Sequence, residues 1–213
     1  MKRLRILLAD DHSMVSAGFQ RLLEPEFEVV GTVENGRAVL KAAEELQPDM
    51  AILDVCMPLL NGLDAGRRLK ALMPQLKLIY LTMNSDPDYA KEALDFGASA
   101  YLLKNSLPSE LLQAVRDVAK GKSYITPRIT HALEEAFIRD PRDVSRPTHL
   151  TNRQREILQM LAEGRSMKDI ASILAITHRT VRFHKAQIMQ VLGIHSHMEL
   201  LQYAIKHGMV SAA

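Results

Sequence analysis

The chain has 213 residues, 47% of them hydrophobic, so it is long enough for two ordinary globular domains. No apolar run approaches the ~20 residues of a membrane-spanning helix, and the single cysteine, Cys56, excludes an internal disulfide and suits a reducing cytosol. The net charge of +2 is unevenly distributed, with 15 basic against 17 acidic residues in 1–123 but 8 against 4 in 148–213. We therefore expect a cytoplasmic protein without a membrane segment, whose C-terminal part favours a polyanion partner.

Five short apolar runs alternate with five helical patterns in the N-terminal part. The predicted strands are residues 4–9, 29–33, 50–53, 76–81 and 99–103, and the predicted helices are 13–23, 36–46, 63–73, 88–96 and 109–119. This alternation favours right-handed crossovers and a parallel sheet with helices on both faces. We predict an α/β domain at residues 1–121 with a doubly wound, five-stranded parallel sheet.

Residues 122–147 are predicted to be a linker. They contain a predicted helix at 130–138, and the segment 139–147 has alternating charges and two prolines, which is typical of a solvated connection. Residues 148–213 are predicted to form a small all-α domain with helices at 152–163, 167–174, 178–192 and 197–207. Thr151 and Ser196 each begin a capping-box pattern before a helix.

Polar residues follow four of the predicted strands. Asp10 and Asp11 follow the first strand, Asp54 the third, Thr82 the fourth and Lys104 the fifth. Because ligands bind beyond the carboxyl ends of parallel strands, we expect these side chains to line one crevice. Carboxylates this close repel each other unless a cation is bound, and hard oxygen ligands favour Mg²⁺.

This set of residues suits phosphoryl transfer. A carboxylate near Mg²⁺ can attack phosphorus and become an acyl phosphate, and Asp54 is the predicted nucleophile because it ends a central strand. Asp10 and Asp11 are predicted to bind the metal, directly or through water. Lys104 would bind a phosphoryl oxygen, and Thr82 would donate from its hydroxyl.

Four motifs in this part resemble the receiver domain of bacterial two-component response regulators over residues 4–120. They are Asp10-Asp11, Asp54-Val-Cys-Met-Pro-Leu-Leu-Asn-Gly62, Leu81-Thr82 and Tyr101-Leu-Leu-Lys104. The resemblance implies a flavodoxin-like fold and Mg²⁺-dependent phosphoryl transfer from a partner histidine kinase to Asp54. It also implies a metal site that includes the backbone carbonyl of Cys56, and a switch pair formed by Thr82 and Tyr101.

Residues 166–192 have the pattern of a helix-turn-helix. Ile170, Ala171 and Leu174 are predicted to face inward on the first helix, Ile176 fills the turn, and Thr177 is the predicted N-cap of the second. The second helix has basic residues but no acidic residue between positions 178 and 192. Such a helix fits the major groove of double-stranded DNA.

Seven residues are predicted to contact DNA. They are Thr177, Arg179, Thr180, Arg182, Phe183, Lys185 and Gln187. Arg182 is predicted to pair with guanine and Phe183 to pack on a thymine methyl, whereas Arg179 and Lys185 are predicted to contact phosphates. A helical bundle that binds another protein is the alternative.

The C-terminal part also resembles a known family, the LuxR-type helix-turn-helix. The matching segments include Leu150-Thr-Asn-Arg-Gln-Arg-Glu-Ile-Leu158, Lys168-Asp-Ile-Ala171 and Thr180-Val-Arg-Phe-His184. Together the two parts resemble a NarL/FixJ-family response regulator, which implies dimers on DNA, often formed through the last helix, here 198–207. Ala186 departs from the family pattern, and its small side chain shifts the expected base readout onto Arg182 and Phe183.

The leading hypothesis is a transcription regulator switched by phosphorylation, not an enzyme. The unphosphorylated N-terminal domain would either cover the DNA-reading helix or prevent dimerisation. One alternative is a phosphatase or phosphotransferase, but haloacid-dehalogenase-type enzymes usually have a second Asp where this chain has Cys56. The other alternative is a domain that serves only for docking, which the intact set of polar residues at the strand ends argues against.

Overall fold

The N-terminal domain contains one parallel sheet, with strand order β2-β1-β3-β4-β5-β6. The computed structural model describes residues 3–83, 85, 87–139 and 150–210, so the predicted linker segment at 140–147 lies outside it. Within the described residues the strands are β1 (Arg5–Ala9), β2 (Glu28–Val33), β3 (Met50–Asp54), β4 (Lys77–Thr82), β5 (Ala100–Leu103) and β6 (Tyr124–Ile125). The five predicted strands form the core of this sheet.

The sixth strand is an addition to the prediction. β6 has two residues and pairs in parallel with β5, with Tyr124 opposite Ala100. A segment of two residues has no periodicity to recognise, so the sequence pattern offered no signal for it. β6 extends the sheet into the region that was predicted to be linker.

Helices cover both faces of the sheet. They are α1 (Ser13–Leu23), α2 (Gly36–Leu46), α3 (Gly62–Leu72), α4 (Pro87–Asp95) and α5 (Pro108–Ala119). Buried side chains of α2, α3 and α4 form one core layer with the sheet, and those of α1 and α5 form the other. Every residue of β3 is buried, as expected for a central strand that is covered on both faces.

The predicted helix in the linker is present and starts earlier than predicted. It is α6 (Pro127–Arg139), which begins with a proline, a residue tolerated in a first helical turn. Ile129 of α6 is fully buried in the same core layer as α4. α6 therefore packs on the N-terminal domain.

The C-terminal domain is a bundle of α7 (Asn152–Ala162), α8 (Met167–Ile173), α9 (His178–Leu192) and α10 (His197–Lys206). Thr151 forms the complete capping box that was predicted with Gln154. At Ser196 only half of the predicted box forms, because the Glu199 carboxylate accepts from the backbone N–H of His195 instead. In the part of the chain that the structure describes, no helix is long and apolar enough to cross a membrane.

Candidate functional site

The carboxyl ends of β1 and β3 bring the predicted acidic residues together. β1 and β3 are neighbours in the sheet, so Asp10, which follows β1, lies beside Asp54, the last residue of β3. One ligand atom from each of Asp10, Asp11, His12 and Asp54 lies within 4.8 Å of all the others. Asp10 and Asp54 are each only 3% exposed. The predicted acidic crevice is therefore present in the structure.

Lys104 lies between the two buried carboxylates. Its Nζ is 2.7 Å from Asp54 Oδ2 and 2.8 Å from Asp10 Oδ2. Burial alone would lower the pKa of Lys104, but the attraction of Asp54 and Asp10 outweighs burial and raises it. Burial raises the pKa of Asp54 to about 6, although Lys104 acts in the opposite direction. The crevice thus holds the Lys104 ammonium beside a carboxylate that is harder to ionise than usual.

The donor set fits a magnesium ion. Two buried carboxylates face one ammonium, and the exposed carboxylate of Asp11 is adjacent, so acidic groups outnumber the single cation. Oxygen ligands of this kind suit Mg²⁺, which prefers a few carboxylates and keeps several waters. Asp10, Asp11 and Asp54 are the residues that would hold it.

His12 is part of this cluster, although it is not among the predicted metal ligands. Its Nδ1 lies 2.8 Å from Asp11 Oδ1 and 3.3 Å from Asp10 Oδ1, and its backbone N–H donates to Asp10 Oδ1. The available signal was the position of His12 directly after the two aspartates.

The loop between β3 and α3, residues 55–61 (the β3–α3 loop), closes tightly after Asp54. The backbone N–H of Cys56 donates to Asp54 Oδ1 at 3.2 Å, and that of Gly62 donates to the Val55 carbonyl at 2.8 Å. A Cβ atom on Gly62 would lie 2.0 Å from the carbonyl oxygen of Asp54. Only glycine allows this approach of the two backbones, and the loop therefore returns directly beside the acidic crevice.

Thr82 and Tyr101 occupy neighbouring strands. Thr82 is the last residue of β4 and is 1% exposed, and its carbonyl accepts from the backbone N–H of Lys104 at 2.7 Å. Tyr101 is fully buried in β5, in the core layer of α2, α3 and α4, with its ring 6.5 Å from that of Tyr80. The structure thus places Thr82 at the crevice edge of the sheet and Tyr101 in the core.

The predicted DNA-reading helix is α9. Ile170, Ala171 and Leu174 of the preceding helix and turn are buried, as predicted. The Thr177 side chain accepts from the backbone N–H of Thr180, so the predicted N-cap is confirmed.

The side chains predicted to reach DNA differ in exposure. Thr177, Arg179, Arg182 and Phe183 are exposed, whereas Thr180, Lys185 and Gln187 are half-buried. Phe183 is 59% exposed, so its apolar ring is available for contact with a partner. Gln187 accepts a long hydrogen bond from Gln154 of α7 at 3.4 Å, so its side chain faces its own domain.

The N-terminal domain contacts α7, and the sequence pattern does not predict this contact. Arg155 is 3.0 Å from Asp64 of α3 and 3.0 Å from Glu92 of α4. Glu156 is 2% exposed, and its arginine partners come from both domains. They are Arg37, Arg68 and Arg153. A helix with buried charged residues at successive positions has no recognisable pattern until both surfaces that it contacts are known.

The end of α10 forms a second contact between the domains. The Tyr89 hydroxyl of α4 donates to the backbone carbonyl of Lys206, and the Cys56 thiol lies 3.7 Å from the carbonyl of Gly208. The contacts described here involve α7 and the end of α10, and Arg182 and Phe183 of α9 remain exposed. The structure therefore does not support the hypothesis that the N-terminal domain covers the reading helix.

Two family models match the chain. The model described as "Response regulator receiver domain" matches residues 6–116, and the one described as "Bacterial regulatory proteins, luxR family" matches residues 148–204. Curated relatives match over nearly the full length. The transcriptional regulatory protein DegU of Brevibacillus brevis is 34% identical over 98% of this chain and 95% of its own. The oxygen regulatory protein NreC of Staphylococcus carnosus is 36% identical over 95% and 97%.

Solved structures of response regulators also match the chain over nearly its full length. The response regulator RcsB of Salmonella typhimurium has a TM-score of 0.62 and 28% identity, over 95% of this chain and 98% of that chain. An RcsB–DNA complex has a TM-score of 0.60 with the same identity and coverage. A further structure is described as two RcsB dimers bound to two parallel DNAs, with a TM-score of 0.59, 28% identity and the same coverage.

Proposed function

This chain belongs to the NarL/FixJ family of two-component response regulators, and we propose on that premise that phosphoryl transfer to Asp54 switches its binding to DNA. Members of this family are DNA-binding transcription regulators, not enzymes. The observation that carries the proposal is the contact of Lys104 with both Asp54 and Asp10 at the ends of two adjacent strands. This arrangement places a nucleophile, Asp54, and a cation for the transferred phosphoryl group, Lys104, in one buried crevice.

The phosphoryl donor would be a histidine kinase in the cytosol. An Asp54 carboxylate oxygen attacks the phosphorus of the phosphohistidine, the P–N bond breaks, and the histidine nitrogen leaves with its electron pair. A pKa of about 6 leaves Asp54 largely ionised at neutral pH, as a nucleophile requires. Mg²⁺ held by Asp10, Asp11, Asp54 and the carbonyl of Cys56 would offset charge on the transferred oxygens.

Lys104 and Thr82 would then hold the phosphoryl group. The Lys104 ammonium is already within ion-pair distance of Asp54, and it would bind a phosphoryl oxygen as a point charge. The Thr82 hydroxyl would donate a hydrogen bond to another phosphoryl oxygen. A movement of Thr82 would be accompanied by a rearrangement of Tyr101, which is buried in the neighbouring strand. Because a packed core is not continuously deformable, such a rearrangement would favour a second discrete arrangement of this domain.

The output is binding to double-stranded promoter DNA. Arg182 and Phe183 would read base edges in the major groove, and Arg179, Lys185 and the N-terminus of α9 at Thr177 would contact phosphates. Thr180 and Gln187 lie on the same helix and, like Lys185, are half-buried, so each would present only part of its side chain to the DNA.

The protein would bind DNA as a homodimer. Met198 on α10 is 63% exposed, which leaves an apolar side chain available for contact with a second copy. The end of the same helix contacts Tyr89 of the receiver domain. Phosphorylation would favour the dimer by releasing α10 from this contact. A shift of the equilibrium from 1:99 to 99:1 requires about 5.5 kcal/mol, which a buried dianion paired with a metal and Lys104 can supply.

The proposal is tested by intact mass spectrometry after incubation with Mg²⁺ and acetyl phosphate. We expect one phosphoryl adduct on the wild type, labile to hydroxylamine, and none on Asp54→Asn. The wild type treated with beryllofluoride should then show increased dimerisation and DNA binding. Binding to DNA that is the same with and without beryllofluoride would instead indicate a receiver domain that serves only for docking.

A further inference from the structure

The β3–α3 loop is held by a side chain from the other domain. Gln159 of α7 accepts from the backbone N–H of Asn61 at 2.8 Å and donates to the backbone carbonyl of Met57 at 2.7 Å. Gln159 is fully buried, so both hydrogen bonds are shielded from water. A buried amide whose two ends both bind loop backbone fixes the loop at two points.

Glu163, one turn further along the chain, holds a third point of the same loop. Its Oε1 accepts from the backbone N–H of Leu59 at 2.9 Å and from Gln159 Nε2 at 2.8 Å. Leu59 has a φ of +69°, a backbone conformation that a leucine rarely adopts. An uncommon conformation of this kind persists only where the surroundings hold it, and the Glu163 carboxylate is the group that binds it here.

The same loop carries a residue of the phosphorylation site. Cys56 lies in it, two residues after Asp54, and its carbonyl is proposed to bind the metal. Glu163 also lines a small cleft that is shared with Asp11 and Cys56. Glu163, which supports the loop, therefore lines the same cleft as two of the residues that would bind the ion.

We propose that Gln159 and Glu163 are positioning residues for the phosphorylation site, through which the docked DNA-binding domain sets the affinity of the receiver domain for Mg²⁺. This inference rests on the proposed function, because it requires that the acidic crevice binds Mg²⁺. A loop that is already ordered loses less conformational freedom when its carbonyl binds the ion, so docking strengthens metal binding. By linkage, Mg²⁺ strengthens docking of α7 by the same factor.

Calorimetric titration of the full chain with MgCl₂ tests the inference. Gln159→Leu removes both hydrogen bonds to the loop with little change in volume, and we expect it to raise the Kd for Mg²⁺ about five- to tenfold. Gln113→Leu is the matched control, because Gln113 is exposed on α5 and its side chain donates to Asp117, one turn further along the same helix. The control should leave the Kd for Mg²⁺ within about twofold of the wild type, because exposed substitutions usually change free energies by no more than about 0.5 kcal/mol.

Two substitutions at Glu163 distinguish a positioning role of its side chain from a general loss of structure. Glu163→Gln and Glu163→Leu both lose the negative charge, but Glu163→Gln keeps an oxygen that can accept from Leu59 and should therefore bind Mg²⁺ more tightly than Glu163→Leu. Glu163→Leu lacks this acceptor and should weaken binding as Gln159→Leu does. This pair carries the test if Gln159→Leu does not fold.

Amide hydrogen exchange provides the reciprocal measurement. Mg²⁺ should slow exchange in α7 of the wild type and have a smaller effect in Gln159→Leu. A folded Gln159→Leu with the wild-type Kd for Mg²⁺ would overturn the inference and leave the proposed function intact. A wild type that binds no Mg²⁺ would overturn the proposed metal site, and the inference with it.

Discussion

Arg155 of the DNA-binding domain lies 3.0 Å from Asp64 of the receiver domain, and both side chains are almost completely buried. Burial alone would lower the pKa of Arg155, but the attraction of Asp64 and Glu92 outweighs burial and raises it. The guanidinium therefore remains charged inside the contact between the domains. Arg67 of α3 also contacts Asp64 at 3.1 Å and Glu92 at 2.8 Å, so removal of Arg155 leaves each carboxylate with one cationic partner fewer but not without compensation.

Arg155→Ala is expected to separate the two domains. Arg155 binds carboxylates on both α3 and α4 of the other domain, and because Arg67 still pairs with them, the loss of Arg155 should cost less than about 3–5 kcal/mol, the cost of an uncompensated buried charge. Small-angle X-ray scattering should show a larger radius of gyration. Arg116→Ala is the control, because Arg116 forms an exposed pair with Glu26 inside the receiver domain. A variant at Arg155 that keeps the wild-type radius would show that this pair does not hold the domains together.

The stability of the receiver domain should depend on the ionisation of Asp54. Its pKa is raised to about 6, so the folded state binds this proton more tightly than the unfolded state does. The resulting stabilisation is fully present below the unfolded pKa of 3.8 and is lost as pH rises through 6. In Mg²⁺-free buffer the wild type should lose about 3 kcal/mol relative to Asp54→Asn across this range.

Urea unfolding followed by circular dichroism between pH 4 and 7.5 measures this difference. Asp54→Asn lacks the titrating group, so its pH profile supplies the baseline for all other residues. Added Mg²⁺ should restore stability to the wild type near neutral pH and have little effect on the variant. Parallel profiles for the two proteins would show that the environment of Asp54 does not favour its protonated form.

Gly62→Ala is expected to destabilise the receiver domain by about 2 kcal/mol or more, the range of severe steric substitutions in a well-packed region. The added Cβ would lie 2.0 Å from the Asp54 carbonyl oxygen, so the β3–α3 loop must move. Gly18→Ala on α1 is the matched control, since no atom lies within 4 Å of its added Cβ. Alanine at a helical position should stabilise the domain by up to about 1 kcal/mol. Thermal unfolding of both variants would show opposite shifts.

Arg182 and Arg179 should have different effects on DNA binding. DNA sites selected from a random duplex pool provide the ligand. Arg182→Ala should relax the preference at one base pair and cost about 1–3 kcal/mol at that position. Arg179→Ala should weaken binding to all sequences similarly. It should also reduce the slope of log K against log salt concentration by the release of about one counterion. Equal behaviour of the two variants would contradict the assignment of Arg182 to base readout.

The local pattern of the chain determined the main elements of both domains and the crevice. The five core strands and their helices were predictable because apolar runs and helical periods alternate, and Asp10, Asp54, Thr82 and Lys104 stand where strands end. A parallel sheet brings such positions to one edge whatever the details of packing. The N-cap at Thr177 was predictable for the same reason, since a cap depends only on residues within one helical turn.

Only the tertiary structure decided how the two domains meet. Arg155, Gln159 and Glu163 belong to a helix that the sequence predicted correctly, and nothing in its period indicates that its polar side chains are buried or half-buried. Their partners are Asp64, Glu92 and the backbone of the β3–α3 loop, about 60 to 100 residues earlier in the chain. Hydrogen bonds between distant segments follow from the mutual fit of two folded surfaces, and a local pattern carries no information about that fit.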